Sequence, residues 1–257
     1  MTDRMTQTME NKLQKILSKV RRAVDDYGMI NNGDRIAVGI SGGKDSLTLL
    51  YALAELRRFY PAHFDVIGVS LDMGHPNVSF AEVRKLCEEL NVEYIVKKTD
   101  IAEIIFDIRK EKNPCSLCAK MRRGGVNDLA VELGCNKVAL GHHREDVIET
   151  FFLSLFYEGR INCFSPVTYL SRRDIYVIRP LLYMPEGDIK SFAASQRLPI
   201  VPSNCPIDGH SKRQDMKDFI NQKSREDKFF KTKIMHAIIN GLPSWNKSEN
   251  GQLNKYE

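Results

Sequence analysis

Arg35 to Leu50 reads RIAVGISGGKDSLTLL, and the architecture follows from it. Ile36 to Ile40 are apolar or glycine throughout, as expected of a strand covered on both faces. Ser41, Gly42 and Gly43 then carry almost no side chain. From Lys44 the spacing of Leu47, Leu49, Leu50, Leu53 and Leu56 is helical. A strand, a glycine turn and a helix N-terminus in that order make an anion site, because backbone N–H groups and the helix dipole both face the turn. Gly39, Ser41, Gly42, Gly43, Lys44, Asp45 and Ser46 are therefore the candidate phosphate contacts, with Lys44 adding a full positive charge. The pattern is not G-x-x-x-x-G-K-[ST]: the glycine spacing is one residue short, and Asp45 follows the lysine.

Outward from this stretch, strands alternate with helical segments. Leu13, Ile16, Leu17, Val20 and Val24 predict an amphipathic helix over residues 8–27, which covers the core or packs on a partner subunit in a homodimer. Phe64–Leu71 reads as a second buried strand. Asp72 follows at its carboxyl end, where parallel sheets hold ligands, so Asp72, Met73 and Gly74 are candidate nucleoside contacts. Val92–Val96, Lys137–Leu140 and Ile175–Ile178 complete five strands, with a short helix over 100–109 and a loop over 159–174. This predicts an α/β fold, a doubly wound sheet of about five parallel strands with added N- and C-terminal helices. The chain divides into a helix (1–30), the main domain (31–200), a loop with basic helices (201–243) and a polar, disordered tail (244–257).

The helix N-terminus after Lys137–Leu140 is acidic: Gly141-His-His-Arg-Glu-Asp146-Val-Ile-Glu149. Gly141 permits close approach to a phosphate, His142 stands beside it, and Asp146 is placed to hold Mg²⁺ or orient a reacting group. Carboxylates at a helix start are also favourable through the dipole alone. The six cysteines, in a chain whose residues 1–14 are polar and charged, predict reduced thiols or metal ligands in the cytoplasm. No apolar run reaches the ~18 residues of a membrane span. Cys87 and Cys135 read as packing residues, and Cys163 as a surface thiol. Pro114-Cys115-Ser-Leu-Cys118 is open between a dithiol, a zinc half-site and an iron–sulfur site lacking one ligand. Cys205, between prolines, is the best third thiolate. The net charge is +5, and Lys212, Arg213, Lys217, Lys223, Arg225, Lys228, Lys231 and Lys233 crowd the last helices, which suits a solvated face or a phosphate-backbone footprint.

The hexapeptide Ser41–Ser46 resembles the signature of the ATP-pyrophosphatase (PP-loop) family, whose members cleave ATP between the α and β phosphates. Together with PCSLC, GHHREDVIET, VIRPLLY and the late Cys205, it resembles the tRNA 2-thiolation subgroup over residues 10–240. That resemblance implies that Cys115, Cys118 and Cys205 hold three irons of a 4Fe-4S cluster and leave the fourth free to carry sulfur. It also implies ATP and Mg²⁺ as co-reactants and a tRNA substrate unstacked in the anticodon loop. The sulfur then comes from a donor protein or inorganic sulfide. The target's C2 oxygen would be adenylated and replaced by sulfur, with Lys44, Asp45 and Asp146 serving the reaction. The terminal zinc-finger cysteine pairs of related T-loop uridine enzymes are absent, which favours cytidine, at position 32. Two alternatives stand beside it: a cluster-free amidating or lysidine-type ligase, and a non-enzymatic ATP- and RNA-binding module.

Overall fold

The computed structural model describes residues 2–74, 78–109, 114–201 and 212–247. Its centre is a six-stranded sheet in the order β3-β2-β1-β4-β6-β5. The strands are β1 (Asp34–Gly39), β2 (Phe64–Asp72), β3 (Glu93–Lys98), β4 (Lys137–Ala139), β5 (Val167–Leu170) and β6 (Ile175–Ile178). Five are parallel, as the alternation of strands and helices predicts. The sixth, β5, pairs antiparallel with β6 from Val167↔Ile178 to Leu170↔Ile175. It lies within the 159–174 stretch that the sequence reads as loop. The four-residue connection Ser171–Asp174, with Asp174 at φ 51°, closes a hairpin that the half-exposed Val-Thr-Tyr-Leu run announces only weakly.

Alternation along β1 sends Ile36 and Val38 to one face and Ala37 to the other. The first face carries α1 (Thr2–Asp26), α2 (Lys44–Leu56), α3 (Ala81–Glu89), α6 (Arg144–Leu153) and α7 (Glu186–Ser195). Helices α8 (Lys212–Glu226) and α9 (Phe230–Gly241) join the same core through Met216, Ile220, Met235 and Ile238. The second face is covered by α5 (Pro114–Glu132) through Leu129 and Ala130. The short helix expected over 100–109 is a helical turn, Ile101–Glu103 (α4), running into a π-turn, Ile104–Ile108. The leading helix covers the core of its own chain: Ile16, Val20 and Val24 are buried, and Lys15 and Lys19 pair with Asp188 of α7 at 2.7 and 3.2 Å.

Two further expectations are corrected. The polar tail does not begin at Ser244, because Pro243–Trp245 form a 3₁₀ turn that buries Trp245 completely and lets its indole N–H donate to the Phe164 carbonyl at 3.2 Å. Cys163 is not a surface thiol. It is 5% exposed, its Sγ donates to the Val147 carbonyl at 3.4 Å, and burial pushes its pKa up to about 12. At the amino ends of the strands, Lys137 forms a buried ion pair with Asp34 at 2.6 Å and donates to the Met29 carbonyl at 2.9 Å. The order of strands reverses between β1 and β4, so the carboxyl ends of these two strands open the crevice where such sheets bind ligands.

Candidate active site

A cleft of about 690 Å³ opens at that crevice. Of the residues singled out in the sequence, Gly39, Ser41, Gly43, Asp45 and Ser46 line it from the first loop, and Asp72 from the end of β2. Gly141, His142 and Asp146 line it from the β4–α6 turn, and Cys115 and Cys118 from the first turn of α5. Residues as far apart in the chain as Gly39 and Asp146, 107 positions, thus line one cleft because β1 and β4 are neighbours in the sheet. Cys205 lies outside the described residues.

The loop is built by its own hydroxyls. Ser46 Oγ donates to the Gly43 carbonyl at 2.9 Å, accepts the Ser41 N–H at 3.2 Å and lies 3.2 Å from Ser41 Oγ. Gly43 caps α2 in extended backbone (φ −79°, ψ 159°), so the unpaired N–H groups of the first turn point into the cleft. Gly42 takes φ +84°, and a Cβ there would lie 2.8 Å from Val201 Cβ. Its carbonyl accepts the Val201 N–H at 2.9 Å. Gly141 has no room for a side chain either, since a Cβ would lie 3.0 Å from the Asp45 carbonyl carbon and the Ser46 nitrogen. The two loops therefore touch backbone to backbone.

Lys44 behaves differently from the expectation of a lysine pointing at the phosphates. Its Nζ lies between Asp45 Oδ2 at 3.0 Å and Glu186 Oε1 at 3.1 Å. Burial works against its charge, but the two carboxylates more than offset this and raise its pKa. Glu186 also receives Lys190 at 3.1 Å and Lys217 at 3.9 Å. These lysines outweigh its partial burial and hold its carboxyl down at about 2. Its backbone N–H donates to Glu145 Oε2 at 2.8 Å, tying the start of α7 to the start of α6.

The β4–α6 turn is self-capped. His143 Nδ1 accepts the Glu145 N–H at 3.2 Å, and Asp146 Oδ2 accepts the His143 N–H at 3.0 Å. His143 Nε2 then lies 3.5 Å from Asp146 Oδ2 and 3.7 Å from Asp45 Oδ1. Burial lowers its basicity, but the Glu145, Asp146 and Asp45 carboxylates together raise it. Asp45 Oδ1 is buried with no hydrogen-bond partner. Arg213 of α8 reaches Asp146 Oδ1 at 3.2 Å and Thr150 Oγ1 at 3.2 Å. His142 is opposite in character. Burial and the Arg179 guanidinium push it down to about 4, so it is neutral, with its ring 4.9 Å from Phe164 and its Nδ1 unpartnered. Asp72 accepts the Gly74 N–H on Oδ1 at 3.0 Å, and its carbonyl accepts the Thr99 N–H at 2.8 Å.

Among the described residues, three cysteines are separated from two by environment. Cys87, Cys135 and Cys163 are buried and burial raises the pKa of each, to about 12 for Cys87 and Cys163. Cys115 is exposed and Cys118 half-buried, and their spacing of three on α5 puts both sulfurs on one face toward the cleft. Arg122 and Arg123, one turn further along α5, line the same wall. The sequence reading missed Glu186, Arg179 and Val201. Met184-Pro-Glu186 reads only as a helix start, and nothing local marks Glu186 as a counter-ion for Lys44.

Residues 5–223 match the family model of the PP-loop domain. The tRNA-cytidine(32) 2-sulfurtransferase of Geobacter sulfurreducens is 37% identical over 91% of this chain and 92% of its own. The enzyme of the same name from Histophilus somni is 39% identical over 91% of this chain and 76% of its own. Among solved structures, the U34-tRNA thiolase of Methanococcus maripaludis with its 4Fe-4S cluster superposes with a TM-score of 0.74 at 25% identity, covering 90% of this chain and 78% of that one. No described helix is long and apolar enough to cross a membrane.

Proposed function

The chain belongs to the PP-loop family, among its tRNA 2-thiolation enzymes, and from that premise we propose that it is an ATP-dependent tRNA 2-sulfurtransferase acting on cytidine 32. The observation that carries this reading is a single cleft that holds both a nucleotide loop and a pair of accessible cysteines. An amidating PP-loop enzyme has no use for thiols there. The relatives' name supplies the target nucleotide and the tRNA.

The donor set fits an iron–sulfur cluster. Cys115 and Cys118 are accessible soft ligands on one helix face, and the three buried cysteines are unsuited to the task. Val201, on the cleft wall, is followed four residues later by Cys205, a chain length of at most about 14 Å. Cys115, Cys118 and Cys205 would hold the 4Fe-4S cluster, which supplies a site for carrying sulfur. Asp45, with its orphaned Oδ1, and Asp146, whose carboxylates both approach His143 Nε2, would hold Mg²⁺.

The chain's own residues divide the remaining work. The N–H groups at the start of α2 and the Ser41 and Ser46 hydroxyls bind the phosphates of ATP. The cytosine C2 oxygen attacks the α-phosphorus, the α–β bridging bond breaks, and pyrophosphate leaves with the electron pair. Lys44 lies beside that charge and stabilises it while Glu186 keeps it in place. Hydrosulfide then forms the C–S bond at C2, and AMP departs with the former base oxygen. Neutral His142 offers Nδ1 as a hydrogen-bonding group in the cleft wall, and Asp146, fixed by the His143 N–H and by Arg213, orients the reacting groups.

Iron and acid-labile sulfide, measured after purification without oxygen in the native chain and in Cys205→Ser, test this reading. About four irons and four sulfides per native chain, lost in the variant, are expected. One zinc without sulfide, unchanged in Cys205→Ser, overturns it in favour of a cluster-free PP-loop enzyme.

A further inference from the structure

Two of the five exposed aromatic side chains among the described residues, Phe156 and Tyr157, stand side by side where α6 ends. Beyond Leu153 the helix widens into the π-turn Ser154–Glu158 and stops at Gly159, whose φ of 63° turns the chain away. Such turns occur often at functional sites. This one leaves Phe156 and Tyr157 on the surface, 52% and 46% exposed, with Ile161 at 72% just beyond. Phe156 is held in place, stacked on Phe152 at 5.5 Å and edge-on to Phe219 at 5.7 Å. The Lys212 ammonium lies 4.5 Å from the Tyr157 ring centroid, and Arg160 is exposed beside them.

We propose that this surface is a stacking platform for unpaired bases of the RNA whose target base enters the cleft. The proposal rests on the sulfurtransferase reading and adds to it where flanking nucleotides lie. Aromatic faces interleaved with Lys and Arg are what single-stranded RNA needs: each ring stacks a base, and the cations meet the backbone phosphates. Lysine is depleted in the core of protein–protein interfaces, so the Lys212 ammonium seated on Tyr157 favours a polyanion over a protein partner. The position also suits a flanking contact. Tyr157 lies eleven residues beyond Asp146 along α6 and its π-turn, no more than about 16 Å away at the α-helical rise. Arg213, next to Lys212, touches that same Asp146 at 3.2 Å. One helix and one neighbouring residue therefore join the platform to the cleft.

The test is the affinity of the native chain, Tyr157→Ala, Tyr157→Trp and Lys212→Gln for an unmodified tRNA transcript, its anticodon hairpin and a fully paired duplex of equal length. Tyr157→Ala is expected to weaken binding of transcript and hairpin roughly 5- to 30-fold, with little change on the duplex, and Tyr157→Trp to restore it. Lys212→Gln is expected to lower the slope of log Kd against log salt by about 1. ATP affinity, unchanged within about twofold in all variants, reports an intact fold, since none of these residues lies at the nucleotide loop. If Tyr157→Ala binds RNA as the native chain does, or loses the duplex equally, the platform is overturned while the sulfurtransferase reading stands. A dimer that Tyr157→Ala dissociates assigns the surface to a second copy and also overturns it. Failure of the native chain to bind any tRNA removes both.

Discussion

Replacing Glu186 by glutamine removes one negative charge but keeps the side chain's length and its carbonyl acceptor. In the native protein the carboxylate receives Lys44 and Lys190 at 3.1 Å each and Lys217 at 3.9 Å. A phosphate hydrogen-bonded on the far side of the Lys44 ammonium would lie ~6 Å from the carboxylate, two N–O contacts in line. At an effective dielectric constant of ~40–80, one unit of repulsion over that distance is worth about 1 kcal/mol. E186Q is therefore expected to bind ATP ~5-fold more tightly, because Lys44 loses its competing counter-ion. It is also expected to turn over more slowly, because Lys44 is no longer held in place. Stability should fall by about 1–2 kcal/mol, a figure discounted for the solvent that reaches this network. The pH dependence has a fixed sign. The carboxyl titrates at about 2 in the folded protein against an ordinary 4.5, so its contribution is complete above pH ~4.5 and disappears as pH falls toward ~2. Calorimetric titration with ATP and urea unfolding at pH 7 and at pH 3.5 read each quantity. ATP binding weakened several-fold in E186Q would refute the reasoning, because it would make Glu186 a contact of the nucleotide or its metal.

Four other perturbations follow from the geometry. Lys137→Met leaves Asp34 buried without its cation and is expected to cost about 3–5 kcal/mol in urea unfolding, while ATP affinity in the surviving folded fraction is unchanged. Gly141→Ala drives a methyl to 3.0 Å from the Asp45 and Ser46 backbone and is expected to raise the KM for ATP far more than it lowers stability. Gly42→Ala meets both Val201 at 2.8 Å and a backbone φ of +84° that L side chains rarely adopt, so a loss of about 1–2 kcal/mol in thermal unfolding is expected. Cys163→Ala is expected to retain full iron and sulfide while Cys118→Ser loses them, since the Cys163 thiol is buried against the Val147 carbonyl. Iron analysis of the two variants side by side checks this.

The nucleotide half of the site was legible because its chemistry is local. Ser41–Ser46 places hydroxyls, glycines and a helix start within six residues, and the same six residues form the loop. Five strands were visible as runs of Val, Ile and Ala between helical segments. The antiparallel β5 was not, since an edge strand half-exposed on both faces carries little hydrophobic contrast. Trp245 was hidden by its polar neighbours, and only the packed structure places its ring edge-on to Tyr27 at 6.0 Å. Cys163 looked like a loop thiol because the sequence around it is irregular, yet irregular backbone packs against α6 here. The counter-ion role of Glu186 is legible only in three dimensions, because it joins two helix starts separated by 142 residues, at Lys44 and Glu186.

The fate of the base oxygen remains the sharpest experimental handle. An anticodon hairpin carrying ¹⁸O at C2 of cytidine 32, incubated with native chain, ATP, Mg²⁺ and sulfide under anaerobic conditions, is analysed by mass spectrometry of the nucleoside and of AMP. The account predicts 2-thiocytidine with one ¹⁸O-labelled AMP and one pyrophosphate per sulfur inserted. Thiolated product with unlabelled AMP, or ADP and phosphate in place of AMP and pyrophosphate, would contradict adenylation of that oxygen in this cleft.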